Sequence, residues 1–199
     1  MSEIQLPIFP LQTVLFPKGK LPLRIFERRY IDMIKNCMQT DQGFGIVLIS
    51  DGQEVRPAKT SLGPSICEVG TIAKIIDFDQ IEGGLLGILV EGGDKFSIRS
   101  SWEAPDHLLI GKVEILDEGL GQQIRDGDDH LVQILHELVK HPMIEKLGLE
   151  IDFSDTKEVG FRLAELLPIA PKIKQSLLQL SDADQRLAEI KKLLSDFEN

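Results

Sequence analysis

Apolar and polar residues follow two periods along this chain, and the change falls near residue 117. Before it, apolar positions alternate or run in short blocks, which predicts strands at 4–9, 45–49, 66–78, 85–90, 95–100 and 108–116. Gly83-Gly84 and Gly92-Gly93 offer the backbone freedom of tight hairpins, so 71–100 reads as a meander. One helix interrupts the strands. Tyr30, Met33, Ile34, Cys37 and Met38 fall on one helical stripe, and Cys37 reads there as a core residue and not a nucleophile.

Past about residue 125 the period becomes 3.6. Leu131, Ile134, Leu135, Leu138 and Val139 form one stripe that stops at Pro142. Val159, Leu163, Leu166 and Leu167 form a second, opened by Asp155 with Glu158 three residues on. Pro171 suits the first turn of a third helix carrying Ile173, Leu177, Leu178 and Leu180. Ser181 is the expected cap of a last helix with Leu187, Ile190, Leu194 and Phe197. Strands followed by helices predict an α+β chain, with a β domain over 1–117 and a helical subdomain over 118–199 joined near Gly119 and Gly121.

The segment FPLQTVLFPKGKLPL at 9–23 breaks its own strand pattern with Pro10, Pro17 and Pro22, just after Pro7. Proline lacks a backbone donor and is kept out of central strands. This stretch is therefore expected as short strand pieces and turns at the rim of a sheet.

Net charge is −10, with 16 acids against 12 bases up to residue 117 and 16 against 10 beyond it. Such a surface repels phosphate backbones, which argues against nucleic acid as a partner. The local exception is Lys18, Lys20, Arg24, Arg28 and Arg29, interrupted by Glu27 alone among acids; it reads as a solvated rim around one helix. Cys37 and Cys67 form no CxxC, so a disulfide framework is not expected and a reducing cytoplasm is the expected location. The first fifteen residues lack a basic n-region, and LLGILV at 85–90 is too short to span a bilayer. No membrane partner is expected.

HELVKH at 136–141 comes nearest to a catalytic motif. A zinc-protease HExxH places its histidines at i and i+4, about 40° apart on a helix, whereas i+5 is roughly 140° away. Both histidines read as structural, with His141 at a helix end facing the negative end of the dipole. Gly19-Lys20 and Gly111-Lys112 are followed by Leu21 and Val113, not by the Ser or Thr of a phosphate loop. No GxSxG occurs, and Ser97, Ser100 and Ser101 read as strand-end residues. No catalytic residue, metal site or cofactor is expected.

PIFPLQTVLFPKGKLPLRIFERRY, FGIVLI at 44–49, EVGTIAKIIDF at 68–78 and GILVEGGDKFSI at 87–98 together resemble the N-terminal domain of Lon-type ATP-dependent proteases. LAELLPIAPKIKQSLLQLSDADQRLAEIKKLL at 163–194 is similar to the helical end of that domain. GGD at 92–94 is more glycine-rich than in related sequences. The resemblance implies a PUA-like β pseudobarrel with one inserted helix, followed by a helical bundle. It implies a stand-alone module that recognises protein substrates, without the ATPase module or the serine–lysine protease module of Lon.

The expected function is capture of unfolded or partly unfolded polypeptide at an apolar surface beside a strand edge. Phe16, Pro17, Phe26 and Tyr30, flanked by Arg24 and Arg28, are the expected contact residues. The alternatives are an adaptor that docks on a full-length protease, or a hydrolase with an unrecognised site. RNA binding, suggested by analogy with PUA domains, is opposed by the net charge.

Overall fold

A computed structural model describes residues 3–51, 64–81 and 85–198, so the expected turn at Gly83-Gly84 lies outside the described residues. Backbone contacts divide the chain into two compact units, Met1–Leu116 and Asp117–Asn199. The fold is α+β. The first unit carries β1 (Glu3–Leu11), β2 (Lys20–Ile25), α1 (Arg28–Thr40), β3 (Phe44–Asp51), β4 (Ser65–Ile81), β5 (Leu85–Glu103) and β6 (Leu109–Ile115).

These strands close into a ring. β5 pairs with β4, β4 with β3, β3 with β1, β1 with β6, and β6 returns to β5. Among the described strand pairs, β1–β3 alone is parallel. The ring is filled by Leu6, Ile8, Val47, Phe96 and Val113. Gly45 and Gly70 make room for it, since a Cβ at either would lie under 3 Å from the Phe96 ring. A second core lies around α1, where Tyr30, Met33, Ile34 and Cys37 pack with Phe9, Phe44, Ile46, Ile88 and Val90. The Phe9 and Tyr30 rings stack with centroids 4.0 Å apart. Met38 falls at the margin of the α1 stripe and is 42% exposed, so it is not a core residue.

β1 tolerates two prolines because it changes partners midway. Residues 3–8 pair with β6 and residues 8–11 with β3, so Pro7 and Pro10 each face a single neighbour. A ladder on one side leaves the other side without need of a donor. β2 carries Pro22 and pairs only with β5 among the described strands.

β5 runs unbroken through Gly92-Gly93, so the hairpin expected there does not form. Gly92 serves a close approach instead. A Cβ on it would run into the Phe16 carbonyl, which rests against the β5 backbone. The Gly92 carbonyl accepts from Lys18 N at 2.6 Å, and Gly92 N donates to the Gly19 carbonyl at 2.8 Å. Residues 16–19 form a turn closed by Gly19 N donating to the Phe16 carbonyl at 2.9 Å, with Lys18 at φ 59°. Pro17 before a positive-φ residue is the pattern of a type II turn. The Thr71 hydroxyl, fully buried, donates to the Leu15 carbonyl at 2.7 Å and pins the same segment to β4.

The contact splits the edge of β5 in two. Its first half, up to Glu91, pairs with β2, and its second half, from Phe96, pairs with β6. Beyond Ala73, β4 has only β5 as a partner among the described strands. β2, the first half of β5 and the second half of β4 thus form a three-stranded ribbon extending from the ring.

The second unit contains a 3-10 turn (Asp126–Asp128), α2 (Asp129–Val139), α3 (Pro142–Glu145), α4 (Thr156–Leu166), α5 (Pro171–Gln179) and α6 (Ala183–Glu198). Asp155 caps α4 as expected, accepting from Lys157 N and Glu158 N. The α6 cap is Asp182 and not Ser181, because the Asp182 carboxylate accepts from Gln185 N at 2.8 Å. His141 also departs from expectation. It caps the start of α3, and its Nδ1 accepts from Met143 N at 3.3 Å, which places it at a positive helix end. Arg186 lies in the centre of this unit, wholly buried, with its guanidinium 3.9 Å over the Phe161 ring. Its Nε donates to the Leu177 carbonyl at 3.0 Å and its Nη2 to Glu118 at 3.0 Å. No described helix is long and apolar enough to cross a membrane.

Candidate functional site

The six residues expected at a contact surface separate into two groups. Phe16 is fully buried and Tyr30 is 5% exposed. Phe16 is held inside by the turn that docks on Gly92, and Tyr30 points from α1 onto Phe9 with only a small part of its surface left open. Both belong to the core; Phe16 leaves the contact set, and Tyr30 contributes only to the lining of a hollow beside β2. Arg24, Phe26 and Arg28 are exposed, and Pro17 is half-buried. Phe26, at 56% exposure, directly follows β2.

Hollows on both flanks of β2 share Pro22, Leu23 and Arg24. The deeper one, about 260 Å³, is lined by Phe9, Leu11, Leu21, Ile25, Phe26 and Tyr30, with Thr13 and Glu27 as polar members. The shallower one, about 360 Å³, lies on the ribbon between Arg24 on β2 and Asp77, Phe78 and Asp79 on β4. Gly87, Ile88 and Leu89 of β5 complete it. Phe78 is 57% exposed. An edge strand between an apolar crevice and an apolar shelf provides backbone donors and acceptors beside side-chain pockets. Pro22 removes one donor from that edge, which limits the length of any added ladder.

The basic stretch around β2 is largely committed to local pairs. Arg28 Nε binds Asp32 at 2.9 Å one turn along α1. Arg29 binds Glu27 at 2.9 Å, donates to the His107 carbonyl at 2.8 Å and lies 4.5 Å over the Tyr30 ring. Arg24 has no ion pair or hydrogen bond among the described residues. Arg28 and Arg29 are thus held in separate pairs, the first solvated and the second partly buried, and the Arg24 guanidinium is available.

Other candidate chemistry is spread apart. The His136 ring stacks on Phe153 with centroids 4.0 Å apart, while His141 caps α3. Burial pushes the Cys37 thiol above its ordinary range, which keeps it from acting as a thiolate. Among the described residues, no three His, Cys, Asp or Glu side chains are grouped to hold a metal. Sequence reading missed Asp77, Phe78, Asp79, Gly87 and Leu89 as site residues. The signal was the switch from an apolar strand to Asp-Phe-Asp at 77–79, which reads as an exposed strand end.

Residues 5–196 match the model of the ATP-dependent protease La (Lon) substrate-binding domain. The chain is 26% identical over 204 residues to a Lon protease of Nitratidesulfovibrio vulgaris, covering 96% of this chain. It is 22% identical over 192 residues to a Lon protease of Buchnera aphidicola, covering 94% of this chain. In both cases it spans about a quarter of the relative's length (24%). A crystal structure of a Lon N-terminal domain protein from Xanthomonas campestris matches with TM-score 0.76 and 30% identity, covering 96% of this chain and 98% of that one. The N-terminal domain of a Mycobacterium avium complex Lon protease matches in fold with TM-score 0.65 at 18% identity, covering 97% of this chain and 99% of that one.

Proposed function

The chain belongs to the family of ATP-dependent protease La (Lon) substrate-binding domains, and from that premise we propose that it holds extended segments of protein substrates at the free edge of β2 without cleaving them. The observation that carries this reading is the placement of β2: one edge paired, the other unpaired among the described strands, and a hollow on each flank. An unfolded client offers the matching parts, an extended backbone and apolar side chains in alternation. Side-chain burial supplies most of the affinity here, because Pro22 interrupts the row of donors. Filling a hollow with one large apolar side chain contributes roughly 1.5–3 kcal/mol before the entropy of ordering the client is subtracted.

Phe26 provides the direct test. It stands exposed at the mouth of the deeper hollow, so its replacement costs the fold little. Phe26→Ser should weaken binding of reduced, carboxymethylated casein about tenfold in fluorescence anisotropy and leave the melting temperature nearly unchanged. Wild-type protein that binds no unfolded client at micromolar concentrations would refute the reading. So would equal binding by wild type and Phe26→Ser.

A further inference from the structure

The shelf over Gly87 has a charge pattern as well as an apolar floor. Strand register places Arg24 opposite Gly87, and Gly87 opposite Asp79, so a guanidinium and a carboxylate flank a position with no side chain. The next outward row reads Pro22, Leu89, Asp77. Neighbouring strands lie about 4.8 Å apart, so the Arg24 and Asp79 backbones are roughly 10 Å apart across the gap. That gap is one side chain wide. Pro22 and Leu89 give it an apolar border.

Neither charge is neutralised within the described molecule. One oxygen of Asp77 accepts from Phe78 N at 2.8 Å, and one of Asp79 accepts from Gln80 N at 2.7 Å. These bonds fix both carboxylates and leave each a second oxygen without a described partner. Both aspartates are exposed, as is Arg24. Two carboxylates face one guanidinium, so the shelf is net acidic on its β4 side and basic on its β2 side.

We infer that this shelf selects among client segments, taking an apolar residue over Gly87 with a lysine or arginine one or two positions away, against Asp77 and Asp79. The inference rests on the polypeptide-holding function proposed above and names the class of segment held. A client segment that crosses from the β2 edge over the shelf advances about 3.3 Å per residue against a strand spacing of about 4.8 Å, so a base within two residues of the apolar anchor reaches the β4 carboxylates. An acid at the same place meets two like charges and is disfavoured. Arg24 accepts an acidic residue on the opposite side of the anchor.

The test uses three short labelled peptides that differ only in the residues flanking a central phenylalanine, which are lysine, serine or glutamate. Fluorescence anisotropy on the full chain should rank them lysine, serine, glutamate, with a roughly three- to tenfold spread that shrinks as salt rises. Asp77→Lys with Asp79→Lys should reverse the order, and Gly87→Val, which fills the gap, should abolish the discrimination. Circular dichroism matching wild type establishes that each variant is folded. Casein binding, measured in parallel, separates this inference from the reading beneath it. Casein binding without flank preference, or with the same preference in the double variant, overturns the selectivity and leaves polypeptide holding intact. Loss of self-association in the double variant, with the peptide ranking unchanged, would make a second copy of the chain the occupant and overturn the proposal.

Discussion

At Gly92 the absence of a side chain decides how residues 16–19 fold. The Phe16 carbonyl occupies the space a Cβ would need, and two backbone hydrogen bonds hold the turn against β5. This contact buries Phe16, delivers the chain into β2 at Lys20 and ends the pairing of β5 with β2. Gly92→Ala forces the turn off β5 and should cost about 1–3 kcal/mol, read as a fall in the denaturant midpoint with unchanged slope. It should also weaken client binding, since β2 loses its anchor. A variant as stable as wild type would show that the turn rests elsewhere. Sequence alone gave this glycine the wrong task, because a Gly-Gly pair fits a hairpin equally well and the Phe16 carbonyl is 76 positions away in the chain.

Among the elements, α4, α5 and α6 pack around charges that periodicity did not reveal. Arg186 sits on the buried side of α6, held by the Leu177 carbonyl, Glu118 and the Phe161 ring. Its planar fork makes contacts that a single ammonium cannot. Arg186→Met removes a fully buried guanidinium together with its bonds to Glu118 and the Leu177 carbonyl and should cost about 3–5 kcal/mol; Arg186→Lys should recover little of it in chemical denaturation. Full recovery by lysine would mean that charge alone matters there. Glu165 at the end of α4 lies 2.7 Å from Arg162, and burial pushes its carboxyl above the ordinary 4.5 against the opposing pull of Arg162 and Lys174. Between 4.5 and the raised value the folded chain holds a proton that the unfolded chain releases, so this group's contribution grows as pH falls through that window and is least above it. Wild type should therefore gain melting temperature relative to Glu165→Gln as pH drops from neutrality toward 4.5. A difference independent of pH would contradict this. The helices themselves were legible, because their stripes, the Asp155 cap and Pro171 are local signals. The β2 strand was not, since Pro22 obscures the alternation and its pairing with β5 is what makes it a strand. Arg186 was hidden for a similar reason: a lone arginine between apolar positions reads as solvent-facing until Glu118 and Phe161 are brought to it.

For the whole molecule, the strand-to-helix order and the Lon resemblance led to the fold, which the Xanthomonas campestris structure shares at 30% identity. The candidate site was legible only in part. Arg24, Phe26 and Arg28 are exposed as expected, but Phe16 and Tyr30 fill the core, and the ribbon contributes Asp77, Asp79 and Gly87 from another part of the chain. Phe16 is buried by a turn docked on Gly92 and Tyr30 by the inward face of α1, and both burials depend on partners distant in the chain. On the proposed reading, the net charge of −10 should favour clients carrying basic residues and make their capture weaken with salt. The most direct measurement is hydrogen–deuterium exchange of the full chain, followed by mass spectrometry, with and without saturating carboxymethylated casein. Capture at the β2 edge predicts slower exchange in peptides covering 20–27, where the client backbone or side chains shield the strand. Binding with protection confined to 117–199, and none at 20–27, would contradict it.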